Sequence, residues 1–263
     1  AGTLQDNARF ATEIITKTIQ QAGYQNYLWN TTGSTYRREV LPPSDGEPDL
    51  RGYNNTAAGS SIDNGVHNRS TNRVNNSDTL IVRYQGSGVA PGDGNMIDCL
   101  GRPQAEPDAL VPRAFSIFEV RRNSTTSEPE LRCKYGSVSS GVLSFTSEPL
   151  VRGVETLQFL YGEDTDNDSL ADQWKNAEEV DSANQWALVR SVRVGMVLRS
   201  PTSVGVVTSV SGTTTLNPLG VGFSQGTSDT FNSTDSPLRI DTKNTDGRLR
   251  KVVTFTVNLR NAL

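Results

Sequence analysis

Four aspartates recur at short intervals in the middle of the chain, and their spacing is typical of a calcium-binding loop. Counted from the first, they stand at positions 1, 3, 5 and 9, and the backbone carbonyl at position 7 comes from a leucine. Without a cation these carboxylates would repel one another. The pattern therefore predicts a calcium site with five ligand residues: Asp164, Asp166, Asp168, Leu170 and Asp172.

Two residues of this loop depart from the usual calcium-binding pattern. Ser169 occupies position 6, where glycine is preferred, and Lys175 occupies position 12, where a bidentate glutamate is usual. A further ligand could come from water or from Glu178, Glu179 or Asp181. We therefore expect calcium binding to be weak, and the alternative is an acidic, solvated loop between two strands.

One stretch, Gly222-Phe-Ser224-Gln-Gly226, matches a pattern found in serine hydrolases. A nucleophilic serine in such a motif needs a preceding strand, a following helix and a histidine further along the chain. The residues after this stretch have no helical pattern, and the single histidine, His67, lies far upstream. We interpret the stretch as a loop rich in glycine and serine, and predict that the protein is not an enzyme.

The chain has two cysteines, Cys99 and Cys133, and a single histidine. These residues are too few for a four-ligand zinc site of the usual kind. In an exported protein the two cysteines are expected to form a disulfide, which would stabilise the fold by roughly 3–4 kcal/mol on the chain-entropy model. The alternative is two unrelated thiols.

Composition argues against several classes of function. The net charge is −4 and there is no long basic run, so nucleic acid is not an expected partner. No stretch approaches the roughly 18 continuous apolar residues of a membrane span. A chain of 263 residues can bury a sizeable core, and the lack of an internal repeat or a clear linker predicts a single domain, residues 1–263.

The clearest predicted element is a helix over residues 4–22. Small or apolar residues share one register and form a helical stripe at Leu4, Ala8, Ala11, Ile15, Thr18 and Ala22. Phe10, Ile14 and Ile19 are expected to widen this buried stripe. Gly23 is expected to end the helix in a left-handed conformation.

After this helix the sequence is typical of short strands and loops. Residues 24–76 have no sustained periodicity and predict an irregular region over the surface of a sheet. Apolar or alternating stretches predict strands at 79–84, 114–122, 130–135, 142–145, 150–161, 187–199 and 251–259. The predicted fold class is therefore α+β, with an N-terminal helix packed on antiparallel sheet and with long loops.

Several of these segments resemble the type IV pilus-assembly protein W (PilW) family of minor pilins. The resemblance rests on LQDNARFATEIITKTIQQAGY at the start, on DCLG and LRC around the two cysteines, on GVETLQFLYGEDTD, and on the last two strands. Many members have a D-T-D-G-D-G-x-x-D loop where this chain has its four aspartates. The positions of Cys99 and Cys133 also resemble the cysteine pattern of the family.

The resemblance implies a pilin-like fold. Residues 3–22 would be the C-terminal half of the pilin helix, and residues 24–263 would be a β-rich, disulfide-linked head. We expect the native gene to encode an apolar stem before Thr3, preceded by a prepilin-peptidase cleavage site. That stem would be the only part of the protein in contact with the membrane.

The same resemblance implies a structural role without catalysis. Such a protein joins other minor pilins and the major pilin, together with a tip adhesin, in a complex that primes pilus assembly near the tip. It would reside in the inner membrane and periplasm before assembly and in the extracellular pilus afterwards. Two alternatives are a minor pseudopilin J of a type II secretion system and a calcium-dependent adhesin or binding module.

Overall fold

The computed structural model describes residues 2–30, 35–38, 47–55, 74–203, 214–220, 238–240 and 247–261. Within these residues the chain forms one long helix at its start, and the strands that follow pair antiparallel throughout. This arrangement confirms the predicted α+β class with an antiparallel sheet.

Helix α1 spans Gly2–Gln20 and buries the predicted stripe of small and apolar residues. Gly23 follows it with φ of +70°, the left-handed conformation that glycine adopts without strain. Phe10 contradicts the prediction, because 49% of its side chain is exposed. A helix turns about 100° per residue, so Phe10 lies on the far side from Ala8.

A five-stranded sheet follows the order β3-β4-β5-β6-β7, after a separate pair formed by β1 (Tyr27–Asn30) and β2 (Thr35–Arg38). Its strands are β3 (Leu50–Tyr53), β4 (Thr79–Tyr84), β5 (Ala114–Arg122), β6 (Pro129–Ser139) and β7 (Val142–Arg152). Strand β5 pairs with both neighbours without a register shift and is buried on both faces. Its apolar residues therefore lie on both faces of the sheet.

A four-stranded sheet follows the order β13-β10-β8-β9. Its strands are β8 (Val154–Glu163), β9 (Gln173–Lys175), β10 (Val189–Arg199) and β13 (Arg250–Asn258). Two short strands, β11 (Thr214–Leu216) and β12 (Leu238–Ile240), pair separately. The segment predicted as one strand at 150–161 is divided at Gly153, whose φ of +84° separates β7 from β8.

The main core lies between α1 and the inner faces of both sheets. Helix α1 contacts β7 of one sheet and β10 and β13 of the other. Large side chains from both sheets are fully buried in the same cluster, including Tyr84, Phe118, Leu157, Phe159 and Tyr161. No helix among the described residues combines the length and apolar character needed to cross a membrane.

Several short elements were not predicted. Strands β1 to β3 fall within residues 24–76, where no periodicity marks them. Helix α2 (Ala177–Ser182) and a 3₁₀ turn (Trp186–Leu188) follow β9. The sequence does contain a signal for α2, because Asn176 and Glu179 have the spacing of a capping box and form one in the structure.

Candidate functional site

The aspartate-rich loop, residues 164–172, connects β8 to β9. These strands pair antiparallel, with Glu163 opposite Gln173, so the two ends of the loop lie side by side. The N–H of Asp172 donates to the carbonyl of Glu163 at 2.8 Å, which closes the loop. The sheet therefore holds the first and the last aspartate of the pattern next to each other.

Three of the four aspartates come together. One carboxylate oxygen from each of Asp164, Asp166 and Asp172 lies within 4.8 Å of the others. Asp168 is not part of this cluster, and its Oδ1 accepts a hydrogen bond from the N–H of Leu170 at 2.8 Å. The geometry thus contains a three-carboxylate core of the predicted ligand set, while the complete set stays a prediction.

Backbone N–H groups hold the first aspartate in place. Asp164 is 1% exposed, and its two oxygens accept hydrogen bonds from the N–H of Asn167 at 2.7 Å and of Ser169 at 3.0 Å. Asn167 and Ser169 adopt left-handed φ values of +65° and +70°. The loop therefore curls around Asp164 even though Ser169 replaces the glycine that calcium loops prefer at this position.

The first and the last aspartate of the loop are stabilised by different neighbours. Arg190 places Nε 3.5 Å from Oδ2 of Asp164 and partly neutralises it. At the other end, hydrogen bonds from the backbone N–H and the hydroxyl of Thr165, at 2.6 and 2.7 Å, lower the pKa of Asp172. Lys175, which occupies position 12 of the pattern, pairs through its Nζ with Glu163 at 2.7 Å and with Oε1 of Gln185 at 2.7 Å.

Two of the three acidic residues proposed as an additional ligand already have other structural roles. Glu179 accepts the N–H of Asn176 in the capping box at 2.9 Å. Asp181 accepts hydrogen bonds from Arg51 at 2.9 Å and from the indole of Trp186 at 3.0 Å. Glu178 and water are therefore the candidates that remain for the additional ligand. An all-oxygen donor set of this kind suits a hard cation such as calcium.

The two cysteines form a disulfide, as predicted. Cys99 and Cys133 are both fully buried, their Cα atoms are 5.8 Å apart, and the bond joins the loop after β4 to strand β6. The N–H of Cys99 also donates to Oγ of Ser116 on β5 at 3.0 Å. The hydrolase-like stretch 222–226 and His67 lie outside the described residues.

Helix α1 has an outer stripe that faces away from the core: Asp6, Arg9, Phe10, Glu13 and Lys17. Glu13 and Lys17 form an ion pair at 2.8 Å along this stripe, and Phe10 is its one large apolar residue. The helix is thus amphipathic in the ordinary sense, with an exposed aromatic ring on its polar side.

A protein-family model described as Type IV Pilus-assembly protein W matches residues 117–261, more than half of the chain. The chain belongs to this family. The matched region runs from β5 to the end of β13 and includes the aspartate-rich loop and Cys133. No curated protein and no solved structure gives a significant match. Membership of the PilW family assigns the protein to type IV pilus assembly.

Proposed function

We propose that this PilW-family protein is a minor pilin that helps to prime type IV pilus assembly and resides near the pilus tip. The match over residues 117–261 is the observation that carries the proposal. Its partners would be other minor pilins, the major pilin and a tip adhesin, and its contribution would be structural rather than catalytic. Before assembly it would occupy the inner membrane and periplasm.

The outer stripe of α1 supports this role. Its inner side is committed to the core, so contact with neighbouring subunits can use only the outer side. Phe10 offers apolar area there, and the alternating charges of Arg9, Glu13 and Lys17 can pair with the charges of a second helix. We infer that helix-to-helix contacts through this stripe hold the protein in its complex.

Deletion of the gene in its native host tests the proposal. We expect the deletion strain to have few or no surface pili by electron microscopy, and the wild-type gene to restore them. The Phe10→Glu variant should fail to restore pili at equal protein level. A matched control is Val89→Glu, because Val89 is also exposed, at 78%, but lies in the loop after β4 and not on α1. Normal piliation in the deletion strain would exclude the role.

The deletion strain also distinguishes a type IV pilus component from a pseudopilin of a type II secretion system. A pilus component should leave type II secretion intact when it is deleted. Loss of protein secretion from a strain with normal pili would instead identify a pseudopilin. Secreted activity in the culture medium and pilus counts should therefore be measured side by side.

We also propose that the aspartate-rich loop binds calcium. The support is the cluster of Asp164, Asp166 and Asp172 and the closed, curled loop that holds it. Only three carboxylates are gathered, and Arg190 lies near one of them, so we expect a Kd of about 10⁻⁴–10⁻³ M, the range of extracellular calcium modules. Bound calcium would stabilise the β8–β9 connection by mass action.

Thermal unfolding with calcium and with chelator tests this second proposal. Millimolar calcium should raise Tm of the wild-type protein, and Asp166→Asn should abolish the rise. Asp6→Asn is the matched control, because Asp6 is an exposed aspartate on α1 and its loss should leave the calcium effect unchanged. Equal Tm values for the wild type in calcium and in chelator would show that the loop does not bind calcium and is a solvated turn.

A further inference from the structure

Strand β7 is an open edge of the five-stranded sheet. Among the described residues the sheet ends with β7, which pairs on one side only, with β6. An unpaired edge presents free N–H and C=O groups to any other strand, and proteins commonly blunt such edges. Whether β7 is blunted therefore decides whether it can serve as an interaction surface.

The other edges of the two main sheets are protected. Strands β3 and β9 are only four and three residues long, and β13 carries Arg250 and Lys251 and contacts α1. Strand β7 has eleven residues, and its first part, Val142–Ser147, contains no charged residue. Short length, charge and a covering helix are the usual protective devices. Among the described residues, this first part of β7 has such a device only at its last residue, where the guanidinium of Arg132 donates to the hydroxyl of Ser147 at 3.0 Å and to its carbonyl at 2.6 Å.

Protection of β7 begins at Ser147 and continues through its second part. Glu148 and Pro149 follow the uncharged residues. Further along, the side-chain amide of Asn7 on α1 donates to the carbonyl of Arg152 at 3.5 Å, so the helix passes over the base of the strand. At the tip of the hairpin, Val142 is 64% exposed.

The turn between β6 and β7 determines which backbone groups face the open side. Ser140 and Gly141 have φ values of +52° and +75°, as in a two-residue type I′ hairpin. Such a turn bonds Val142 to β6, and the antiparallel pattern then alternates. Leu143, Phe145 and Ser147 therefore direct their N–H and C=O groups outwards, and the carbonyl of Ser147 accepts a hydrogen bond there from the guanidinium of Arg132. Pro149 falls on the same outward side, where its missing N–H costs the sheet nothing.

We propose that this open edge pairs with the same edge of a second copy of the chain, so that two five-stranded sheets become continuous. A two-fold axis at Phe145 places Phe145 opposite Phe145, Leu143 opposite Ser147, and Ser144 opposite Thr146. All five residues are uncharged, so no like charges meet, and an aromatic pair forms at the centre. Because the carbonyl of each Ser147 already accepts a hydrogen bond from Arg132, the pairing supplies roughly four new backbone hydrogen bonds.

The small size of this contact predicts a weak dimer. A five-residue strand pair buries less than the roughly 1,200 Å² typical of a stable complex. The protein should therefore be monomeric when dilute and should associate only at high concentration. The association uses β7 and leaves the outer stripe of α1 free, so it is independent of the contacts proposed for pilus assembly.

Sedimentation equilibrium is the first test. The apparent molecular mass should increase from that of the 28.5-kDa monomer towards twice this value as the protein concentration is raised from about 10 μM to about 1 mM. An interface of this small size is expected to associate in that range. The double variant Ser144→Lys/Thr146→Lys places lysines opposite lysines at the proposed contact. We expect it to stay monomeric throughout this range.

The matched control is Ser137→Lys/Ser139→Lys. These residues lie on the same face of the same hairpin but on β6, one strand away from the edge, with Ser137 opposite Ser144. This variant should associate like the wild type, and so should Phe10→Glu. Circular dichroism and Tm should show that all variants are folded.

Amide hydrogen exchange by NMR gives a second readout that needs no variant. The N–H groups of Leu143, Phe145 and Ser147 should exchange more slowly as the concentration rises, while those of Ser144 and Thr146, already bonded to β6, should not change. A monomer at 1 mM, association that survives the edge lysines, or concentration-dependent protection confined to α1 would each overturn the proposal.

Discussion

The carboxylate of Asp164 has two roles, and substitution can separate them. It accepts two backbone hydrogen bonds inside the loop and lies near Arg190, and it belongs to the proposed calcium cluster. Asp166 also belongs to the cluster, but its carboxylate is exposed and accepts a single, longer backbone hydrogen bond, from Asp168 at 3.2 Å. The two residues should therefore respond differently when calcium is absent.

In chelator, Asp164→Asn should lower the free energy of unfolding by about 1–3 kcal/mol, since a buried acceptor of two N–H groups loses its charge. Asp166→Asn should change it by less than about 0.5 kcal/mol, as is usual for an exposed side chain. Urea-induced unfolding of both variants in chelator measures the difference. Equal effects would show that the loop does not depend on Asp164 for its conformation.

Removal of the disulfide should have a large effect on stability. Cys99 and Cys133 are separated by 34 residues in the sequence. On the chain-entropy model, a disulfide that closes a loop of this length increases the free energy of unfolding by about 3–4 kcal/mol. Cys99→Ala/Cys133→Ala should lose about that amount in urea-induced unfolding, and reduction of the wild type should produce a similar loss. A double variant as stable as the oxidised wild type would show that the disulfide contributes little to the free energy of unfolding.

Sequence spacing predicted part of the loop and missed part of it. Counting positions identified Asp164, Asp166 and Asp172, which the structure brings together. It could not tell that Asp168 would turn outwards to cap the N–H of Leu170, because that depends on the φ values of the residues between them. The spacing of a pattern determines which residues are near in the chain, while backbone conformation determines where each side chain points.

Helix α1 shows how far an element can be predicted from its periodicity. Each residue of the predicted stripe is buried, because a 3.6-residue period fixes which side of the helix each position occupies. Phe10 was wrongly included in the buried side because it is apolar. Its position in the period, opposite Ala8, was the better guide to its exposure.

Substitutions on the two sides of α1 should therefore differ sharply. Ile15→Ala removes a fully buried side chain and should cost about 2–5 kcal/mol of unfolding free energy. Phe10→Ala should cost less than about 0.5 kcal/mol, because half of that ring is already in water. Thermal or urea unfolding of the two variants measures both values. A large loss from Phe10→Ala would mean that the ring stabilises the monomer and is not free for a partner.

Strands were predicted correctly where the alternation or the apolar content of the sequence is strong. They were missed where tertiary contacts determine whether a short segment forms a strand. The alternating residues of β10, among them Val194 and Met196, face the core as expected. Strand β3 is four residues long and contains a glycine, so its local pattern is too short to recognise. It forms because it can pair with β4. Glycine is required at position 52, because a Cβ there would overlap the hydroxyl of Tyr161.

On the scale of the whole molecule, charged side chains link the two main sheets at one end. Glu128, in the turn between β5 and β6, accepts hydrogen bonds from Arg199 at 2.6 Å and from Arg248 at 2.9 Å. Glu155 on β8 binds Arg250 of β13 at 2.9 Å and lies 3.4 Å from Arg199. The network joins parts of the chain that lie up to 120 residues apart, which no local sequence pattern could predict.

This network predicts a dependence of stability on pH. Burial by itself raises the pKa of Glu128, but the hydrogen bonds from Arg248 and Arg199 outweigh it, so the pKa lies below its ordinary value of 4.5. A carboxylate with a lowered pKa in the folded state contributes stability above its unfolded pKa and loses it as the pH falls through the folded pKa. The contribution should therefore be complete at neutral pH and decline in the acid range below the ordinary value.

Urea-induced unfolding of wild type and Glu128→Gln at a series of pH values should resolve this contribution. The variant should be less stable than the wild type at neutral pH, because Arg199 and Arg248 keep their charges but lose a charged partner. The two proteins should approach each other between about pH 5 and about pH 3, as protonation removes the same charge from the wild type. Glu106→Gln is the control, since the carboxylate of Glu106 has no arginine partner among the described residues, and its difference from wild type should not follow this course. A constant gap between wild type and Glu128→Gln across the series would show that the two sheets are held together by their shared core and not by this charge.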